Sequence, residues 1–285
     1  MALKVWLNDK LVDEEQAKIS VFDHGLLYGD GVFEGIRVYD GKIFELDAHL
    51  KRLCDSAKVI RLGIPMDHNT LAEAVKKTVE ANNIVDGYIR LIVTRGIGDL
   101  GLNPLICKQQ SLIIIAATIQ LYPEELYEKG LTVISGSTIR NHPLALPPQI
   151  KSLNYLNNIL AKIEAIDSGA GEVIMYNHLG YVAEASGDNV FIVKGGVIYT
   201  PPVQSGSLEG ITRAVVIRLA KAKKIGVVQK DLTRFDLYTS EEFFLTGTAA
   251  EVIGVVNIDG RVIGDGKPGP ITKMLREKFF EYARA

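Results

Sequence analysis

The chain has 285 residues, 47% hydrophobic and 23% charged, enough material for a globular fold and enough length for two packed subdomains. A formal net charge of −2 and a pI near 6.2 give no electrostatic argument for nucleic acid or an acidic membrane surface as partner. The longest apolar run, Leu112 to Ala117, is too short to span a bilayer, and MALKVWLNDK lacks the apolar core of a signal peptide, so a cytoplasmic protein is expected.

In chain order, KVWLND and KLV read as a short hairpin, and VFEGIRVYDGKIFEL as two strands joined by Asp40-Gly41, a strong two-residue turn. Asp47 is a candidate N-cap for a helix running to about Arg61, and a second helix follows over roughly Asn69 to Asn82. GYIRLIVTR and SLIIIAATI are the next strands. A helix-poor stretch with Pro123 and the Glu-rich YPEELYEKG separates this half from LTVISGSTIR. The expected organisation is a small α+β domain over 1–120, a linker over 121–130 and a larger domain over 131–285. After Pro147-Pro148, Leu153, Leu156, Leu160 and Ile163 recur at helical steps, predicting a core-facing helix with Ser152 as its N-cap. The strands EVIMYN and NVFIVKGGVIYT follow, then a helix from Gly210, the strand EEFFLTG, the hairpin VVNIDGRVI and a helix from about Pro270. Strands reversed at short turns outnumber βαβ units, so the fold class is α+β with two lobes.

Two cysteines, Cys54 and Cys107, make no disulfide framework, and the five histidines form no H-x-x-x-H pair, which argues against a metal site. GIGDLG (Gly96 to Gly101) matches a dinucleotide-binding fingerprint, but Pro104 stands where its helix would run, so the glycines are read as shaping a loop.

Chemistry gathers elsewhere. Lys151 sits where a helix N-terminus disfavours a second cation, a poor choice for stability but a useful one for a nucleophilic amine. Thirty-three residues later, Glu184 and Asn189 frame a short glycine-containing turn in VAEASGDNVF. Gly210, Ile211 and Thr212 open an amphipathic helix, where free N–H groups and the dipole make a phosphate cup. FFLTGTAAEV ends a strand in small residues whose N–H groups can approach an anion. Singly, each pattern is matched by ordinary capping or a tight turn.

Together, GLLYGDGVFEGIRVYDG, HLKRLCDSAK, YIRLIVTRG, KSLNYLNN, EASGDN, EGITR and TGTAAEV resemble the class IV pyridoxal-phosphate aminotransferases, and within them the branched-chain amino-acid aminotransferases, from about Val5 to the C-terminal helix. The resemblance implies a two-lobed fold like that of D-amino-acid aminotransferase, pyridoxal 5'-phosphate as cofactor, and ping-pong transfer of the amino group of L-valine, L-leucine or L-isoleucine to 2-oxoglutarate. It implies that Lys151 bonds to the cofactor aldehyde and shuttles the substrate's α-proton, and that Glu184 pairs with the ring nitrogen. It further assigns Arg52, Ile211, Thr212 and Thr248 to the phosphate, beside Gly210, with Leu208 packed on the ring. Gly187 would supply a backbone contact, and Tyr155, one helical turn after Lys151, would bond the phenolic oxygen.

For substrate, it implies that the N–H groups of Ala249 and Ala250, beside Thr248, take the α-carboxylate. Tyr28, Phe33, Gly35 and Tyr88 would line the side-chain space, and Arg90 would meet the side-chain carboxylate of glutamate. Tyr28 and the GIGDLGLNP loop would come from a neighbouring subunit, so at least a homodimer is expected. The chain departs from the family in Ala185, usually glycine, and Ala214, often aspartate. Rivals on the same fold are a D-amino-acid aminotransferase, an aminodeoxychorismate lyase, an aminotransferase for amines that has no need of Arg90, and a catalytically silent cofactor binder.

Overall fold

Period-two burial over residues 87–94 and 111–117 marks two strands of one sheet in the first half of the chain. In the computed structural model, which describes residues 2–118 and 122–285, the chain divides into two compact units. The described residues of the first unit run 2–118 and Ile150–Asn154. Its elements are β1 (Lys4–Leu7), β2 (Lys10–Asp13), α1 (His24–Tyr28), β3 (Gly31–Tyr39), β4 (Lys42–Ile43), α2 (Leu46–Val59), α3 (His68–Ala81), β5 (Gly87–Thr94) and β6 (Ser111–Ala117). The strands pair antiparallel in the order β2-β1-β6-β5-β3-β4. Asp40 and Gly41 join β3 to β4 with φ of 49° and 76°, the left-handed pair that lets a two-residue turn follow the strand twist. Leu50 and Leu53 of α2 and Leu71 and Val75 of α3 cover one face of this sheet, against Val32, Ile36, Ile89, Leu91 and Ile114. Helix α2 starts one residue before the expected cap. Glu45 takes the cap position at φ 50°, and Asp47 stands in the first turn, where the dipole favours an acid.

The second unit covers described residues 122–149 and Tyr155–Ala285. Its elements begin with α4 (Glu124–Lys129), β7 (Leu131–Ser135), α5 (Leu156–Asp167), β8 (Glu172–Tyr176), β9 (Val182–Ala185), β10 (Asn189–Lys194) and β11 (Val197–Thr200). They continue with α6 (Ile211–Ala222), β12 (Val227–Gln229), α7 (Arg234–Tyr238), β13 (Glu242–Gly247), β14 (Glu251–Ile258), β15 (Arg261–Val262) and α8 (Pro270–Arg284). The sheet order is β12-β11-β10-β13-β14-β7-β8-β9, with β15 on β14; only β7 with its two neighbours and β11 with β12 run parallel. β8 and β13 are buried at every position, and each carries a run of consecutive apolar residues, Val173 to Tyr176 and Phe243 to Leu245, behind a buried glutamate.

The expected boundary at 120/121 lies outside the described residues. Within the expected linker, Glu124 to Lys129 form α4, with two acids in its first turn and Lys129 in its last, so this stretch is not helix-poor. The segment Ile150–Asn154 groups with the first unit.

The helix expected at Ser152 is corrected. Phe33 N–H donates to the Lys151 carbonyl at 3.0 Å and Leu153 N–H to the Gly31 carbonyl at 2.9 Å, so residues 151–153 run extended beside β3. These cross-chain bonds outcompete a helical start, and α5 begins only at Leu156, capped by Tyr155. Its expected core stripe is also inverted. The buried face is Asn158, Ala161 and Ala165, the two alanines packed with Val173 and Met175 of β8, while Leu156 is 65% and Leu160 47% exposed. Small side chains let the helix approach the sheet closely, which turns the large ones outward. Among the described residues, no helix is long and apolar enough to cross a membrane, and no group of three or more His, Cys, Asp or Glu is placed to hold a metal ion.

Candidate active site

In the first unit, β3 and β5 set up a wall by strand alternation. Phe33 and Gly35 share one face of β3, Tyr88 and Arg90 one face of β5, and Gly35 pairs with Arg90 in register. A Cβ on Gly35 would lie 1.8 Å from the Tyr88 hydroxyl oxygen, so only glycine lets that ring cross the strand. The Arg90 guanidinium stands 4.7 Å from the Phe33 ring centre and 5.5 Å from that of Tyr88. The Lys151 amine lies 4.5 Å from the Phe33 ring. Lys151, Phe33, Gly35, Tyr88 and Arg90 are thus one cluster: an aromatic wall bearing two cations, suited to a ligand with apolar and anionic parts.

The Lys151 backbone is pinned independently of its side chain, its N–H donating to Ser56 Oγ (3.2 Å) and its carbonyl accepting from Phe33. It stands five residues before the first helical residue of α5, so the helix dipole expected to act on it is out of reach. Tyr155 is the cap of α5 and shares no helix with Lys151, which corrects the expected one-turn spacing.

Arg52 lies on α2 and is no solvated surface cation. Its Nε donates to Glu34 Oε1 at 2.8 Å and its Nη2 to Glu34 Oε2 at 2.7 Å, with His49 Nδ1 also 2.7 Å from Oε2. Burial would raise the Glu34 pKa, but the charge and hydrogen bonds of Arg52, joined by His49, hold it down to about 2. Burial pushes the His49 imidazole down, Glu34 opposes this only partly, and the charges of Arg52 and Lys151 add to the depression.

Tyr28, at the end of α1, donates to the Leu100 carbonyl at 2.6 Å and meets the His24 ring edge-on. His24 Nε2 lies 2.8 Å from the Asp99 carbonyl oxygen, so Tyr28 and the 96–101 glycine loop are held as one piece. No helix begins within that loop, which runs instead to a short 3₁₀ turn over Pro104–Ile106.

In the second unit, three turns meet at one end of the larger sheet. The first is Ser186-Gly187-Asp188 between β9 and β10, and the second is Thr248-Ala249-Ala250 between β13 and β14; the pairing of Asn189 with Thr246 puts both at the same edge. The third is the lead into α6. Asn189 Nδ2 donates to the Leu208 carbonyl at 2.9 Å, and the Leu208 N–H to Glu184 Oε2 at 2.9 Å. Gly210 caps α6 with no side-chain hydrogen bond, Ile211 opens it, and Thr212 is buried in its first turn. Glu184, 5% exposed on β9, takes a second donor, Arg140 Nε, at 2.7 Å, and Arg140 Nη1 reaches Asn157 of α5 at 2.9 Å. Ala250 is fully buried, Thr248 and Ala249 partly so, and a Cβ on Gly187 would meet nothing within 4 Å.

Reading the sequence missed Glu34, His49, Arg140 and Asn157. A signal existed for one of them: a carboxylate inside a strand, as at Glu34, requires a buried donor. Which of the 32 Lys and Arg supplies it was not legible locally.

The class IV aminotransferase family model matches residues 31–258, a span that holds the whole of this geometry apart from the His24–Tyr28 helix. The chain belongs to the class IV aminotransferases. A Methanocaldococcus jannaschii protein provisionally named a branched-chain-amino-acid aminotransferase is 52% identical, across 97% of this chain and 95% of its own length. The branched-chain-amino-acid aminotransferase of Pseudomonas aeruginosa is 40% identical across 97% and 92%. Among solved structures, the Escherichia coli branched-chain amino acid aminotransferase superposes with a TM-score of 0.96 at 38% identity, covering 99% of this chain and 94% of that one. A second branched-chain amino acid aminotransferase, solved with pyridoxamine 5'-phosphate, gives the same TM-score at 42% identity, covering 100% and 96%. The fold is therefore the mixed helix-and-sheet fold of the class IV aminotransferases.

Proposed function

We propose that this class IV aminotransferase transfers the amino group of L-valine, L-leucine or L-isoleucine to 2-oxoglutarate in a ping-pong reaction with pyridoxal 5'-phosphate. One observation carries the substrate reading: the Phe33–Tyr88 wall with Arg90 stacked on both rings and Lys151 on one. Apolar rings accept a branched side chain, while Arg90 meets the second carboxylate of the alternate substrate. The relatives' names support the same reading.

The residues fit the cofactor. Lys151 offers an amine for its aldehyde, Glu184 a buried carboxylate for its ring nitrogen, and α6 a first turn with no side-chain cap, left for an anion. When bound, the cofactor supplies the aldehyde and the electron-withdrawing ring that stabilises charge at the substrate's α-carbon. Lys151 Nζ takes the α-proton and returns it. Arg52, Gly210, Ile211, Thr212 and Thr248 would hold the phosphate, Leu208 would pack on the ring, Gly187 would offer its backbone and Tyr155 its hydroxyl. Ala249 and Ala250 N–H groups would take the α-carboxylate, and Tyr28, Phe33, Gly35 and Tyr88 would line the side-chain space, Tyr28 from a neighbouring subunit.

Mixing the yellow holoenzyme with L-valine should bleach its long-wavelength absorbance, and 2-oxoglutarate should restore it. Bleaching by D-alanine and not by L-valine would overturn the substrate assignment in favour of the D-amino-acid enzyme.

The active form is a homodimer or a larger assembly of dimers. Leu156, Ile159, Leu160, Ile163 and Ile166 form an outward apolar stripe on α5, with Leu156 and Ile166 each 65% exposed, a face too apolar to leave in water. A second copy covers it. Sedimentation should return at least twice the 31.2 kDa chain mass, and a fully active species at the single-chain mass would refute this.

A further inference from the structure

Glu34 is the one carboxylate in a strand whose other residues are apolar, glycine or the partly exposed Arg37. Alternation turns it to the opposite face of β3 from Phe33 and Gly35, toward α2. There both its oxygens are engaged, by the Arg52 fork and by His49, which lie three residues apart on one face of the helix. Glu34 and His49 are both wholly buried. A buried ion pair is a weak source of stability, because removing two charges from water costs about what their attraction returns. What a side-on fork does supply is orientation: two parallel N–H···O bonds fix the guanidinium plane.

The same helix also registers Lys151. Ser56, one turn beyond Arg52 on α2, accepts the Lys151 N–H, and Phe33, next to Glu34 on β3, donates to the Lys151 carbonyl. An ionised Glu34 can only accept, so His49 Nδ1 carries the proton and Nε2 a lone pair; Nε2 is buried with no hydrogen-bond partner among the described residues. A neutral imidazole in that tautomer adds an N–H to the carboxylate without adding a charge that would compete with Arg52.

We propose that Glu34, backed by His49, is a positioning residue that sets the plane of the Arg52 guanidinium before the cofactor phosphate arrives. This rests on the reading of Arg52 as a phosphate-binding residue. The clamp is built in advance, so no arginine side chain has to be ordered when the cofactor binds.

The test compares two ligands on the full-length chain freed of cofactor: pyridoxal 5'-phosphate and unphosphorylated pyridoxal, each titrated by equilibrium dialysis. The readout is the ratio of their Kd values, which a merely structural lesion does not move. Arg52→Lys should shrink the preference for the phosphorylated ligand. Glu34→Gln should shrink it about 10- to 100-fold, the worth of a charge-assisted hydrogen bond, with pyridoxal itself bound within about twofold of the native chain. The Glu34→Gln/Arg52→Lys double variant should lose no more than Arg52→Lys alone.

An unchanged ratio in Arg52→Lys would overturn the phosphate reading of Arg52 and this inference with it. A reduced ratio in Arg52→Lys with equal weakening of both ligands in Glu34→Gln, or additive losses in the double variant, would overturn this inference alone. Where Glu34→Gln does not fold, His49→Asn takes its place, with a smaller loss of the same ratio expected and an unchanged ratio counting against the proposal.

Discussion

Lys151→Ala should fold normally and turn over substrate slower by on the order of 10⁴-fold or more, because it removes both the covalent attachment point and the proton carrier. The folded state should survive because what this residue gives to the fold is main-chain: its N–H to Ser56 and its carbonyl from Phe33, both unchanged by alanine. The side chain itself adds a cation–π contact to Phe33 at 4.5 Å, worth about 0.5–2 kcal/mol. Steady-state rates with L-valine, alongside thermal melting, separate the two effects. Turnover within tenfold of the native rate would remove Lys151 from the chemistry.

Glu184→Gln is expected to lower kcat roughly 100- to 1,000-fold while cofactor stays bound, since neither Arg52 nor the start of α6 is touched. The two contacts of Glu184 explain why a second effect accompanies the first. Leu208 N–H can still donate to the amide oxygen of glutamine, so the lead into α6 holds its place. Arg140, 5% exposed, loses its charge partner and keeps Asn157, and breaking a buried pair in this way costs about 3 kcal/mol. Melting temperature should fall together with the rate. A lower melting temperature with kcat per folded molecule unchanged would make Glu184 only a counter-ion to Arg140 and end its assignment to the ring nitrogen.

Local chemistry was readable where one short stretch contains its own reason. Asp40-Gly41 spells a left-handed two-residue turn, and the structure has it; Gly210 followed by Ile-Thr-Arg marks a helix start, and α6 begins there. Pro270 sits at the first position of α8, where its missing N–H is harmless. The Lys151 segment shows the opposite case. Proline pair, serine and apolar periodicity all favoured a helix from Ser152, and each signal was sound in isolation. Three residues of β3, more than a hundred positions earlier in the chain, offered extended pairing to 151–153 and prevailed.

The apolar stripe of α5 carries a related lesson, because periodicity reports that a face is apolar and not what covers it. Ala161 and Ala165 fit the sheet and the leucines and isoleucines do not, so the helix turned its small face inward. The counter-charges of the two buried acids were equally out of reach, since Arg52 and Arg140 lie 18 and 44 residues from Glu34 and Glu184.

By itself the sequence determined which functional groups this protein owns, in what order, and the turns and caps that a few adjacent residues dictate, because those depend on backbone preferences acting over one helical turn or one hairpin. Only the tertiary structure decided that Lys151 stands on an extended segment bridged to β3, that Arg90 lies across Phe33 and Tyr88, and that Glu34 and Glu184 each hold an arginine. Those outcomes are set by pairing and burial between segments far apart in the chain, where the winning contact depends on shape and desolvation that no local pattern encodes.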